Sequence, residues 1–387
     1  MSIRDFAVGV LAALAIIGAG CTTDPDRPAQ GDRASETESE TETETEGETE
    51  GETEDEPAAG VYAYLKVKFG GQSWMETKSR MVVMDGAEQI GRSEPLLLAD
   101  PPVFTTDGRY VFTLPTYGDR IIAISTETGK ARSVPCEGCS DRQLECHCQL
   151  VAPIGRSQLA WLDGDNRLVI ADLASESPKP EPTDITLPTE DGFLDERLQP
   201  RVIAGTEGAV LVAYADRGLP GDDLQPIYLV RPGAEPRELD PNRPDSIEQA
   251  VFSPDGSRIA VTGNQEYACA TVTVVDVDSG KGETAPVSAE PGAKCKVRDV
   301  YIDTMWWDRD GTLNTTVQAD DEHSDATGGQ RRYRQGKWSE AEIGNATAVH
   351  QLRAGTATIR GDGSLVVEAA GERSRIDNHV RYLTAAP

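Results

Sequence analysis

The stretch Phe252-Ser-Pro-Asp-Gly-Ser-Arg-Ile-Ala-Val-Thr262 places an apolar residue before a tight Asp-Gly turn and a fresh β-branched run after it. Glycine takes the left-handed backbone of such a turn without steric cost, and Ile, Val and Thr favour the extended chain that follows. The unit recurs at Phe104-Thr-Thr-Asp107-Gly108, Trp307-Asp-Arg-Asp310-Gly311 and Ile359-Arg-Gly-Asp362-Gly363. Blurred copies fall at Ile154 to Gln158 and at Ala204-Gly-Thr-Glu207-Gly208. The anchors 104, 154, 204, 252, 307 and 359 are separated by 50, 50, 48, 55 and 52 residues.

A steady period of this size, built from strands and turns, predicts an all-β chain folded as a single β-propeller of four-stranded antiparallel blades. In one repeat, strands are expected at Pro102–Thr105, Arg109–Leu114 and Ile121–Ser125, with a Gly129-Lys130 hairpin leading to a fourth. In another they are expected at Ala250–Ser253, Arg258–Thr262 and Thr271–Val277, closed by Gly280-Lys281. The two Gly-Lys turns follow their anchors by 25 and 28 residues. Residues 60–100 offer three more strands, at Val61–Phe69, Met81–Met84 and Pro95–Leu98, without a first strand of their own. Pairing this fragment with residues 356–387 would close the ring and hide two sheet edges. The blade count is then about seven if the fragment forms its own blade, and six if it completes the last repeat. A two-domain sandwich leaves the fifty-residue step unexplained.

The Phe252–Thr262 segment, together with Val-Asp-Val-Asp-Ser-Gly-Lys281, resembles the strand–turn–strand core and third-strand hairpin of TolB-type, WD-repeat-like propeller blades. The likeness is close at 104 and 252, partial at 307 and 359, and faint at 154 and 204. It implies a fold and little about activity, because this fold carries many functions.

The first twenty residues stand apart. A short basic start, Met1-Ser-Ile-Arg4, leads into an apolar run over Phe6–Ile17 and then Gly18-Ala19-Gly20-Cys21. Twelve apolar residues are too few for a spanning helix, which needs about 20. They read as a signal-peptide core with small residues at its cleavage site. Gly-Ala-Gly-Cys resembles a bacterial lipobox, which implies that Cys21 is lipidated and becomes the new N-terminus. Gly18 departs from the branched apolar residue usual there, and an ordinary cleaved signal is the alternative. Residues 21–59 then read as a lipid-anchored acidic linker and residues 60–387 as the propeller domain.

From Thr22 to Pro57 fifteen acids face only Arg27 and Arg33, a net of −13 out of −29 for the 387-residue chain. With no apolar surface and strong self-repulsion, this segment is expected to stay disordered as a tether. The remaining −16 argues against nucleic acid as a partner, since like charge repels phosphate. The expected location is extracytoplasmic, held to a bacterial membrane.

Six cysteines follow Cys21. Cys136, Cys139, Cys146 and Cys148 crowd one inter-repeat loop around His147, and Cys269 and Cys295 flank strands of one repeat. The first four could hold zinc as thiolates plus imidazole. An oxidising compartment favours disulfides for all six, with the connectivity of the 136–148 loop open. A Cys269–Cys295 bridge would close a loop of about 26 residues, worth about 3 kcal/mol.

The catalytic inventory is thin. The chain lacks a Gly-x-Ser-x-Gly elbow, a His-Glu-x-x-His pair, a phosphate-binding loop and a dinucleotide fingerprint. Its four histidines are His147, His323, His350 and His379. Asp320-Asp321-Glu322-His323-Ser324-Asp325 offers metal-ligand types but reads as a solvated acidic loop. Asp308-Arg-Asp310 and Asp163-Gly-Asp165-Asn166 lack the distant Glu of a Ca²⁺ loop and read as turns. No catalytic residue, metal or cofactor is therefore assigned. Candidate binding residues are Trp306 and Trp307, of which alternation along a strand leaves one free, and the basic cluster Arg331, Arg332 and Arg334. The expected role is a binding or scaffold module for an envelope protein or polymer. The alternative is a lyase or hydrolase on the same fold, whose carboxylate pair would converge at the channel mouth.

Overall fold

The computed structural model describes residues 60–68, 78–97, 99–115, 118–139, 150–188, 190–191, 197–215, 227–239, 247–263, 270–287, 300–319 and 329–387. Among them there are strands and turns and no helix, so none is long and apolar enough to cross a membrane.

The strands form seven antiparallel sheets, five of four strands and two that carry a short fifth. Six are made of consecutive strands and are numbered blades 1 to 6 in chain order. Their first strands are Val103–Phe104, Ala152–Gly155, Arg197–Thr206, Ile247–Phe252, Val300–Trp307 and Ala346–Leu352; in blade 3 the short Glu190–Asp191 strand adds to the free edge of its first. Blade 7 closes the ring: Val380–Ala385 pairs with Val61–Lys68, followed by Lys78–Asp85 and Glu88–Arg92. The fragment at 60–100 thus builds its own blade around one C-terminal strand, and the count is seven. Its fourth strand is Glu88–Arg92; the expected strand near Pro95 is only Leu96–Leu97, a short addition beside Lys78–Ser79.

The first strands contact one another around the ring, blade 7 touching blades 6 and 1, so they line a central channel. Between blades 5 and 6 the contact is made instead by the third strand of blade 5, Gly329–Arg334. Because antiparallel neighbours reverse at each step, turns from first to second and from third to fourth strand share one face of the ring. Connections from second to third strand and from blade to blade share the other, hereafter the loop face. The longer internal segments outside the described residues, such as 69–77, 140–149, 216–226 and 288–299, fall on connections of this second kind.

The Asp-Gly turns repeat one geometry. Asp107 Oδ1 accepts from Thr105 Oγ1 at 2.8 Å and from Arg109 N at 3.1 Å, and Asp255 Oδ1 accepts from Ser253 Oγ at 2.6 Å and Ser257 N at 3.1 Å. Gly108 and Gly256 carry φ of 70° and 68°. In the weaker repeats Ser157 and Gly208 supply the left-handed residue, at 62° and 73°. The copy at Ile359 is out of phase. Its Asp362-Gly363 turn joins the second and third strands of blade 6, so it belongs to the loop face, and the matching first turn is the shorter Arg353-Ala354.

Buried apolar side chains hold neighbouring blades together. Tyr110, Phe112, Leu159 and Trp161 join blades 1 and 2, and Ala63, Leu65, Phe104 and Val111 join blades 7 and 1. Equivalent clusters join blades 2 and 3, 3 and 4, 4 and 5, and 6 and 7. Among the described residues only the interface of blades 5 and 6 has no such cluster.

Candidate functional site

The first strands carry several polar side chains in their loop-face halves. Asp100 lies just before the first strand of blade 1, Gln249 in blade 4, Asp303 in blade 5, and Arg381 and Tyr382 in blade 7. Register shifts single out Asp303 between Ile302 and Thr304, and Arg381 between Val380 and Tyr382. A bulge leaves its extra residue outside the ladder and re-aims its side chain.

Tyr382 is buried, and burial raises its pKa; the charges of Asp303 and Asp100 act on it in the same sense, against that of Arg381. The Arg381 guanidinium lies 5.0 Å from the Tyr382 ring centre. Blades 5 and 1 are not neighbours, yet the charges of Asp303 and Asp100 both reach Tyr382, whose ring packs in the apolar cluster of blades 7 and 1. Gln249 donates to the Asp303 carbonyl at 3.0 Å across the blade 4–5 boundary. Desolvation pushes the Asp100 carboxyl up to about 7, and its backbone is fixed by Thr113 Oγ1 donating to the Asp100 carbonyl at 2.6 Å. Near neutral pH the mouth thus combines a carboxyl that can give or take a proton, a protonated phenol and an exposed guanidinium. Such a set hydrogen-bonds hydroxyl-rich or peptide-like groups.

On the opposite face a cleft of about 220 Å³ is lined by Thr106, Thr206, Glu207, Arg231, Phe252 and Asp255 among others. Its acids have partners of their own. Glu207 faces Arg156 at 3.9 Å, and the Ser253 and Ser257 donors hold Asp255 down to about 2.

The sequence-derived candidates are dispersed. Trp307 donates to the Val251 carbonyl at 3.2 Å under the Arg258 guanidinium, 4.5 Å from its ring, and so packs on blade 4. Trp306 stacks on His350 of blade 6 at 4.1 Å and 17°. Both indoles therefore join blades. Arg331, Arg332 and Arg334 lie on an interior strand of blade 5, and alternation divides them. Arg331 is buried, 3.8 Å from Glu340; Arg332 shares the face of Asn314, where its charge acts on Asp308; exposed Arg334 reaches Thr312 Oγ1 and Asp310. Asp163 closes its own turn: burial pushes its carboxyl up, but donors from Arg167 and Asp165 outweigh this and lower it.

Cys136 and Cys139 form a disulfide within the CxxC, buried against Trp161 and Val151. That pairing removes two thiolates from the alternative zinc set. Cys21, Cys146, Cys148, Cys269, Cys295, His147 and His323 lie outside the described residues. No group of three or more His, Cys, Asp or Glu poised for a metal occurs among the described residues.

Sequence reasoning did not single out Asp100, Asp303, Arg381 or Tyr382. Asp100 and Asp303 each sit four residues before an anchor, Phe104 and Trp307, and that shared offset was the available signal.

The seven closed blades define the class: the chain is a seven-bladed β-propeller. No protein-family model matches it, and no curated protein matches its sequence. Solved structures similar in shape include the β-propeller domain of the trilobed protease from Pyrococcus furiosus, at 13% identity over 82% of this chain and 95% of that one, with a TM-score of 0.47. TolB from Acinetobacter baumannii is 13% identical over 85% of this chain and 67% of its own, with a TM-score of 0.42. A putative 6-phosphogluconolactonase from Bacteroides fragilis is 9% identical over 84% and 98%, with a TM-score of 0.47. Assignment of the fold rests on the strand pairing, and these likenesses add no argument about function.

Proposed function

We propose that this chain is an envelope lipoprotein, anchored through Cys21, whose propeller binds an envelope polymer or a segment of an envelope protein at the loop-face mouth of its channel. The observation that carries the binding site is that the charges of Asp100 and Asp303, on two blades that are not neighbours, both act on Tyr382 of a third. The leader-like run and Gly-Ala-Gly-Cys21 support the anchor, and the Cys136–Cys139 disulfide fits an oxidising compartment. Two acyl chains on one residue give lasting attachment where one does not.

Two measurements test this reading. Cys21→Ala should move the protein from the membrane to the soluble fraction; retention on membranes refutes the anchor. Calorimetric titration with solubilised envelope polysaccharide should show binding that Asp100→Asn and Tyr382→Phe each weaken by about five- to tenfold, the loss of one hydrogen bond. Unchanged affinity in both variants refutes the site.

Asp100 also favours a second reading. A carboxyl that keeps its proton near neutrality, across a channel from another carboxylate, matches the acid and base of glycan hydrolysis. Asp100 would protonate the glycosidic oxygen as the C–O bond breaks, and Asp303 would take a proton from the attacking water. New reducing ends produced by the wild type and not by Asp100→Asn would establish it.

A further inference from the structure

Blade 5 has two unlike faces. Met305, Trp307, Leu313, Val317, Tyr333 and Trp338 meet blade 4 in an apolar cluster. The alternate residues Thr304, Trp306, Asn314, Thr316, Gln330 and Arg332 form the other face, placed together by the register of three strands. That face turns toward blade 6, where the remaining interfaces would have an apolar cluster.

A hydrogen-bond relay joins the two blades. Asn314 Nδ2 donates to Asp308 Oδ2 at 2.8 Å, Gln330 Nε2 donates to Asn314 Oδ1 at 2.7 Å, and Val349 N of blade 6 donates to Gln330 Oε1 at 2.8 Å. Trp306 donates to Asp308 Oδ1 at 3.3 Å and lays its ring on His350. Apolar burial is worth about 25 cal/mol per Å², whereas a hydrogen bond exchanged with water nets about 1 kcal/mol. By this measure blades 5 and 6, whose described residues meet through polar groups and one ring stack, separate more readily than pairs joined by apolar clusters, because water can take over the relay.

We propose that this interface is a built-in opening point of the ring, a latch in which neutral His350 under Trp306 holds blades 5 and 6 together and acid releases it. His350 is 6% exposed, and burial alone holds its imidazole down to about 3. Elements packed on its strand carry Asp308, Arg331, Arg332 and Arg334 in blade 5, Arg360 in the adjoining strand, and Arg381 and Tyr382 in the closing strand. Among the described residues none of these hydrogen-bonds its ring. An opened interface returns the ring to water, where imidazole titrates near 6.5. The open state therefore binds more protons than the closed one between about pH 6.5 and 3, and opening becomes more favourable as pH falls through that window. The expected increase in the opening equilibrium from pH 7 to pH 5 is about 25-fold. Asp308 and Asp100, both raised by burial, act in the opposite sense, so the His350 contribution is read by difference between variants.

Native-state hydrogen exchange on the intact protein at pH 7 and pH 5, expressed as protection over unstructured rates, tests the latch. Residues 300–319 and 346–360 should open more readily than the closure strands at 61–68 and 380–385. Their opening should gain on His350→Phe by about 25-fold between pH 7 and pH 5, since Phe keeps the stack and cannot be protonated. Trp306→Phe keeps His350 titratable and should open more at both pH values with the acid increment retained. Equal protection of both regions, or an acid increment that His350→Phe retains in full, overturns the proposal. If His350→Phe does not fold, the Trp306→Phe comparison decides: earliest opening at the closure strands overturns the latch, and earliest opening at 300–319 with the acid increment supports it.

Discussion

The interface that closes the ring and the interface of blades 5 and 6 were built from opposite materials. Between blades 6 and 7, Tyr62, Tyr64, Leu352, Ile359 and Val367 form an apolar cluster, bordered by Tyr64 donating to Asp377 at 2.9 Å and by a Lys66–Asp377 ion pair. Between blades 5 and 6 a relay of amides and a carboxylate takes that place. The closure joins strands more than 300 residues apart in sequence and must overcome that chain entropy. The blade 5–6 pair is joined by the short stretch from Glu340 to Ala346, so a polar interface suffices there. The directed hydrogen bonds of the relay also restrict which blade pairs with which.

The largest expected effect tests the apolar class at a point of close backbone approach. Gly129, at φ 66°, sits where an added Cβ would lie 2.0 Å from the Ile90 carbonyl oxygen, against the backbone of blade 7. Gly129→Ala should cost about 3 kcal/mol in urea unfolding, combining left-handed strain with a clash that no side chain can relieve. A loss under about 1 kcal/mol would mean that the blades slide apart easily and would erase the contrast.

Next comes the relay. Gln330→Leu leaves Val349 N and Asn314 Oδ1 without a partner and should cost about 2 kcal/mol. Adding Asn314→Leu should cost less than the sum of the single changes, by about 1 kcal/mol, because two apolar groups replace a broken pair. Strict additivity would show that the two amides do not act as one network.

The smallest effect belongs to the closure's ion pair. Lys66 is 40% exposed, so Lys66→Met should change stability by less than about 1 kcal/mol. Burial pushes the Asp377 carboxyl up, but donors from Lys66, Asn378 and Tyr64 outweigh it and hold it below the usual carboxylate range. Its contribution is present above about pH 4 and lost as pH falls below that, the reverse direction from a raised group such as Asp100. A stability difference between Lys66→Met and wild type that is present above about pH 4 and closes as the pH falls below it would confirm the sign.

Much of the architecture could be read along the chain. The Asp-Gly units mark first-to-second turns at 104, 252 and 307, and the Gly-Lys hairpins mark third-to-fourth turns, because a left-handed residue is a local requirement that composition reveals. The copy at 359 deceived for the same reason: an Asp-Gly turn states its own geometry and not which pair of strands it joins. The strand Glu88–Arg92 escaped notice because an outer blade edge needs little hydrophobicity.

The sequence alone thus determined the repeat, the β class, the acidic segment before the domain and the leader-like start, all of which follow from local backbone preference, periodicity and charge. Only the tertiary structure decided the seventh blade, the meeting of Asp100, Asp303 and Tyr382, and the engagement of both tryptophans between blades. Those depend on strands from fifty to more than 300 residues apart coming together, and closure of a ring is a property of the whole chain that no local pattern encodes.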